Sequence, residues 1–350
     1  MIFLNSTVGR VKFLHSTTPF KNREFKRNTI ENNLAFFMYN NLVNNIKFSK
    51  EVIMAYKIIT DTTAGLTTEI VKKYNIKIIP LSYINDGEVF SPKGNEDESY
   101  LKNFYTLMRN NANLSTSCVN TEVFEEEFKE ILDSGLDLLY LGFSSGLSVT
   151  YSCAQKAKEN LQPLYPDRKI LCLDTLLASM GQGLLVYNAC KLKEEGKTIE
   201  EVYDFCEKQK QNLNSIFTVS TLTYLAKGGR VSKVSATIGN LVDIKPLMYV
   251  SDKGKLLAYN KVMGRKRSIF AIADRVCKTI VNPEEQEVFI SHGDSEEEAK
   301  LLAKLISDKI SVKGFVFNYI DPVIGTHSGP GTLAVFYFGF KREETISSFK

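Results

Sequence analysis

Apolar and polar positions along the chain fall into two textures. Between residues 56 and 195, short apolar runs alternate with longer amphipathic segments, and Asp, Pro or hydroxyl residues punctuate the joins. The runs predict strands at 56–60, 76–81, 136–142 and 169–173. The amphipathic segments predict helices from a Thr67 cap to Lys73, then at 95–111, 123–134, 151–161, 179–195 and 199–212. Asp86-Gly87 reads as a turn between two strands. Strand–helix alternation of this kind is the signature of an α/β layer with parallel strands. After about residue 214 the texture changes. Strands are predicted at 216–220, 245–250, 256–261, 287–292, 316–320 and 333–338, with Asp252-Lys253-Gly254 turning one hairpin. Helices are predicted at 222–226, 234–241, 268–281 and 295–309. Residues 326–331 read as a Gly-rich loop and the last ten as a loose charged tail. The fold class expected is α/β: a mostly parallel N-terminal sheet layer over 54–213, then a second α/β domain with a mixed or antiparallel sheet over 214–340, and a tail at 341–350.

Composition adds limits. At 350 residues the chain suits two domains. A net charge of +4 with no basic stripe argues against a dedicated nucleic-acid binder. Six cysteines, none in a CxxC pair, read as reduced thiols of a cytoplasmic protein rather than metal ligands or disulfides. No stretch approaches the ~20 apolar residues of a membrane span. Residues 1–53 differ from the rest: rich in Asn, Lys, Phe and Ile, poor in acids, and without sustained periodicity. Arg10 and Lys12 interrupt what would be the apolar core of a secretory signal. Sparse acids leave a transit peptide open. The composition also matches translation of AT-rich upstream sequence, which makes Met54 the expected start and 1–53 disordered or loosely helical.

The chemistry concentrates at 136–150, LDLLYLGFSSGLSVT. An apolar strand ends in serines and turns into a helix, whose N-terminal N–H groups and dipole favour an anion. Gly142-Phe143-Ser144-Ser145-Gly146 matches the nucleophile elbow G-x-S-x-G. A lipid esterase reading makes Ser144 the nucleophile, with Asp174 or Asp243 and then His292 or His327 downstream. The bland reading is a serine-rich helix cap. Ser115-Thr116-Ser117 is a second hydroxyl cluster, in a loop before a helix, and reads as a turn or cap or as a set of donors to a carboxylate or phosphate. His327 has glycines on both sides, which allow close approach of a ligand. The turn Lys227-Gly228-Gly229-Arg230 is basic but lacks P-loop spacing.

Taken in order, these stretches resemble the DegV family, which includes the fatty-acid-binding subunits of bacterial fatty acid kinase. The matching pieces are Thr60-Asp61-Thr62, Pro80-Leu81, Ser115-Thr116-Ser117, Ser144 through Thr150, Asp174-Thr175, and Met180-Gly181-Gln182-Gly183. They continue with Leu225 through Ser232, Lys245-Pro246 and Gly325 through Gly331. The resemblance implies a two-domain DegV-type fold holding a long-chain fatty acid between the domains, its carboxylate on Thr116 and Ser148, with His327 near the head group. Asp61, Thr62, Ser117 and Ser145 are possible head-group neighbours. Arg230 is a possible docking residue for an ATP-dependent kinase subunit that makes an acyl phosphate. On this reading the chain has no catalytic residue, no metal and no cofactor beyond its lipid. Another apolar acid, such as a retinoid or branched lipid, would use the same head-group chemistry. Three positions depart from the family pattern: Gly65 replaces an Asp, Cys118-Val119 replaces Gln-Pro, and Val149 replaces a glycine, awkward there if φ is positive.

Overall fold

The computed structural model describes residues 56–231 and 243–348. The expectations for 1–53, the helix at 234–241 and Ser232 lie outside the described residues.

The first half builds a four-stranded parallel sheet. Its strands are β1 (Tyr56–Asp61), β2 (Lys77–Ile79), β6 (Asp137–Gly142) and β7 (Ile170–Asp174), in the order β2-β1-β6-β7. Thr67 caps the helix Thr68–Lys73 (α1) by accepting from the Ile70 N–H. Thr198 and Glu201 form a reciprocal capping box on Ile199–Gln209 (α6). Between β2 and β6 a small antiparallel sheet stands apart, ordered β4-β3-β5: β3 (Ser82–Asn85), β4 (Glu88–Phe90) and β5 (Leu114–Ser117). The Asp86-Gly87 turn joins β3 to β4, with φ of 49° and 90° at its two residues. This positive-φ pair suits the twist of a two-residue hairpin. Ser115-Thr116-Ser117 is therefore strand rather than loop, paired with β3 so that Thr116 lies opposite Tyr83.

The second half builds a six-stranded mixed sheet in the order β10-β9-β8-β13-β11-β12. Its strands are β8 (Leu213–Thr218), β9 (Ile244–Val250), β10 (Leu256–Met263), β11 (Glu287–His292), β12 (Gly314–Tyr319) and β13 (Leu333–Phe338). Only β11 and β12 pair in parallel. The expected α/β architecture, with a parallel sheet followed by a mixed one, is what the chain forms.

Buried side chains show why these layers stack. One face of the parallel sheet packs on Thr121–Asp133 (α3) and Thr150–Leu161 (α4) through Phe124, Phe128, Tyr140 and Ala154. Its other face, helix Met180–Glu194 (α5) and one face of the mixed sheet share a single core, with Leu139, Leu184, Phe217 and Phe336 among its members. Past the short helix Thr223–Lys227 (α7), the outer face of the mixed sheet packs on Arg265–Thr279 (α8) and Glu296–Ser307 (α9). A Cβ on Gly181 would lie 2.7 Å from Ser215 Oγ and 2.9 Å from the Phe336 ring, so only glycine lets α5 sit this close to the mixed sheet. Glu98–Arg109 (α2) covers the small sheet through Phe104, Tyr105 and Met108.

Two expectations are corrected. The Gly-rich loop at 326–331 begins inside a helix, Pro322–Ser328 (α10), capped by Asp321, whose Oδ1 accepts from the Val323 and Ile324 N–H groups at 2.9 and 3.1 Å. Residues 341–348 are not a loose tail: they carry the helix Arg342–Ser347 (α11). Charge concealed a buried anchor there. The Arg342 guanidinium donates to the carbonyls of Leu213, Leu176, Ser251 and Lys210, and burial pushes its pKa down to about 10. Arg342→Ala is expected to cost about 2–4 kcal/mol in denaturant unfolding, because it leaves several carbonyls short of a charge-assisted donor.

Candidate functional site

The Ser-rich turn after β6 is held from three sides. The Thr175 hydroxyl donates to Gly142 O at 2.7 Å, and Asp174 Oδ1 accepts from the N–H groups of Ser145 and Leu176. Ser144 donates to Gly254 O at 2.9 Å, tying the turn to the β9–β10 hairpin, and accepts from the Gly146 N–H at 3.1 Å. Ser148 Oγ accepts from the Thr150 N–H at 3.2 Å and pairs with the Thr150 hydroxyl at 2.9 Å, opening α4. Val149 sits at φ −80°, an ordinary conformation for a β-branched residue, so replacing the family's glycine strains nothing here. Gly65, where the family has Asp, takes φ +57° and closes the short turn after β1.

These elements enclose a cavity of about 470 Å³, lined by the small sheet, the mixed sheet and the loops that follow the parallel strands. That volume lies in the ~300–1,000 Å³ range of small-molecule sites. Leu81, Phe143, Phe217, Leu225, Ile320 and Phe336 give the lining its apolar character. Thr116, Ser117, Ser145, Ser148, Arg230 and His327 all line it too, so six of the eight residues nominated through the family resemblance converge on one space.

Asp61 and Thr62 do not line this cavity. Asp61 is fully buried, and its carboxylate accepts from Tyr140 OH at 2.7 Å, the Phe143 N–H at 3.1 Å, Gln182 at 3.2 Å and Thr63. Thr62 Oγ1 accepts from the Leu81 N–H at 3.0 Å. Both organise the strand–turn junction behind the site, a structural role that the same motif residues signal equally well in sequence.

The hydrolase triad is not assembled. Ser144 is completely buried, and its hydroxyl is spent on the hairpin carbonyl. Asp174 receives backbone N–H groups. His292 accepts from the Ser295 N–H and packs against Tyr319. Among the described residues no histidine bonds Ser144. The G-x-S-x-G pattern here is a hairpin anchor.

At the polar end, Thr116 Oγ1 and His327 Nε2 are 2.9 Å apart, bridging β5 and α10. His327 Nδ1 is buried without a partner. A neutral imidazole carries one N–H, and an unpaired buried N–H costs more than an unpaired acceptor. The proton therefore belongs on Nε2, which donates to Thr116 and leaves the threonine O–H free for a ligand oxygen. Burial, with the Arg230 cation second, pushes the His327 pKa down to about 4. The imidazole is thus neutral at pH 7 in the folded protein, and its ordinary value of 6.5 returns on unfolding. This contribution to stability is complete above pH 6.5 and is lost as pH falls toward 4. The unfolding midpoint of the wild type should drop over that window more steeply than that of His327→Gln. Arg230 is half-buried, donating to Leu147 O at 3.2 Å and to Gly228 O. Burial lowers its pKa too.

Sequence reasoning missed Ser328, Ser179 and Ser215, which also line the cavity. Ser328 follows His327 in the same motif, and its buried hydroxyl has no partner. Ser215 lies in β8, where Asn214-Ser215 interrupts an otherwise apolar strand and was the available signal. Ser179 carried no signal beyond preceding a glycine-bearing helix.

A DegV domain-containing protein of Clostridium perfringens is 42% identical over 288 residues, covering 82% of this chain and 99% of that protein. Among solved structures, a DegV lipid-binding protein of Thermotoga maritima superposes with a TM-score of 0.72 at 30% identity, covering 82% of this chain and 99% of the other. A second Thermotoga maritima protein, described as revealing a fatty acid binding function, gives 0.71 at 29% identity with the same coverage. The model of the DegV family of uncharacterised proteins matches residues 55–339, and the chain belongs to that family.

Proposed function

We propose that the protein binds one long-chain fatty acid in this cavity, with the carboxylate at Thr116, Ser148 and His327 and the tail along the apolar lining. The observation that carries this reading is a half-buried hydroxyl–imidazole pair in the wall of an otherwise mostly apolar cavity. A carboxylate leaving water needs compensating donors, and Thr116, Ser148 and Ser328 offer hydroxyls there. The tail supplies the driving force. At ~0.8 kcal/mol per buried CH₂, a chain of about sixteen carbons offers on the order of 10 kcal/mol before entropy costs. Fatty-acid binding by the related Thermotoga maritima protein supports the ligand class.

The chain acts as a non-catalytic carrier in the cytoplasm and presents the acid to an ATP-dependent kinase subunit, which forms the acyl phosphate. The free thiols fit a reducing compartment. Arg230 borders both the cavity and an adjoining surface groove with Gly229 and Val231, which supports its place in the kinase contact. Loaded protein incubated with a fatty acid kinase subunit and ATP should yield an acyl phosphate trapped by hydroxylamine. No trapped product from protein proven to hold the acid would remove the kinase step and leave a carrier.

A further inference from the structure

The cavity wall carries hydroxyls that a plain hydrocarbon tail does not use. On the mixed sheet, Ser215 lies opposite Phe336, and Ala334 lies between Phe217 and Ser291. Alternation along the strands puts Ser215 and Phe217 on one face, with Ala334 and Phe336 beside them. All four line the cavity. Ser215 is 1% exposed, and its hydroxyl has no hydrogen-bond partner. Ser291, on the neighbouring strand, is fully buried and meets Ser179, itself in the lining, with 3.1 Å between the two hydroxyl oxygens. Each hydroxyl carries one proton, so that pair spends one and leaves another unspent. These groups have left water for an aromatic and aliphatic wall, where an unsubstituted acyl chain offers them nothing. Alanine at Ser215 would fill almost the same space without stranding a polar atom.

We infer that the preferred ligand is a fatty acid with an oxygen on its chain, a hydroxy fatty acid, whose hydroxyl is received at Ser215 or at the Ser179–Ser291 pair according to its position along the chain. The inference rests on the fatty-acid reading above and narrows its substrate class. A serine hydroxyl both donates and accepts, so it matches an alcohol whichever way that alcohol points. The presence of Ser215 and Ser179 in the lining makes the match a property of the wall rather than of the head group.

The test is a direct titration of delipidated protein with stearate and with a positional series of hydroxystearates, in the wild type, Ser215→Ala and Ser291→Ala. At least one hydroxystearate should bind about three- to tenfold more tightly than stearate, the range of one net hydrogen bond. In the alanine variant at the site that receives that isomer's hydroxyl, the preference should fall to one or below, while stearate affinity holds or rises; retained stearate binding also certifies the fold. Stearate binding with no favoured isomer, or a preference unchanged in both variants, overturns the inference alone. Failure of folded wild type to bind any of the acids overturns the fatty-acid reading and this inference together.

Discussion

Thr116→Val is expected to weaken fatty-acid binding by on the order of ten- to hundredfold, at a stability cost held to that of one unpaired imidazole N–H, about 1–3 kcal/mol. Valine keeps the shape and suits a strand, so β5 and its pairing with β3 persist. The loss is the hydroxyl. Thr116 accepts from His327 Nε2 and turns its own proton toward the cavity, so valine removes a donor to the carboxylate and strands the imidazole N–H. Hydrogen bonds to charged groups are worth roughly 1.5–3 kcal/mol, which sets the size of the effect. Titration with a long-chain acid measures it. An affinity within twofold of wild type would remove Thr116 from the carboxylate site.

Gly228→Ala should be at least as damaging, although Gly228 touches no ligand in this account. Its φ is −76°, a value any residue tolerates, so the backbone is not the obstacle. The obstacle is His327: a Cβ on Gly228 would fall well inside the contact distance of the imidazole Nδ1. The ring would have to leave the position that holds Thr116. Overpacking of this kind costs typically ~1–3 kcal/mol of stability, and binding should fall by more than tenfold as the hydroxyl–imidazole pair opens. Gly229→Ala provides the contrast. That residue has open space around its Cβ position but φ +73°, so it should lose some stability and keep most of its affinity. Equal affinities for the wild type and Gly228→Ala would show that His327 placement does not govern binding.

The basic turn illustrates what could be read from the chain and what could not. Its glycines and arginine were legible as a tight, charged feature. That the first glycine exists to admit a histidine about a hundred residues later was not, because nothing local records a long-range steric fit. The parallel layer was legible because buried strands and capped helices announce themselves through period and punctuation. The hairpin at Asp252-Lys253-Gly254 was legible for the same reason. Ser115-Thr116-Ser117 was misread as loop because three hydroxyl residues look like a turn, whereas pairing with β3 makes them a strand. The motif around His327 was misread because its glycines obscured a helix that starts earlier, at Pro322, behind the Asp321 cap. Arg342 was invisible: a charged residue near the end of a chain reads as solvated, and only tertiary packing supplies the four carbonyls that bury it.

The site followed the same division. Hydroxyls and His327 could be nominated from motifs, and most of them converge. Asp61 and Thr62 could be nominated just as well and do not converge, because a buried carboxylate satisfied by Tyr140, Phe143 and Gln182 leaves the same trace in sequence as a binding residue. The apolar lining could not be chosen among the many Phe and Leu residues, since core and cavity walls share one pattern.

Mass spectrometry of the organic extract from protein purified without added lipid, beside a blank purification, tests the central claim most directly. The account predicts close to one long-chain fatty acid per chain, absent from the blank. Folded protein that releases no lipid above the blank would contradict it.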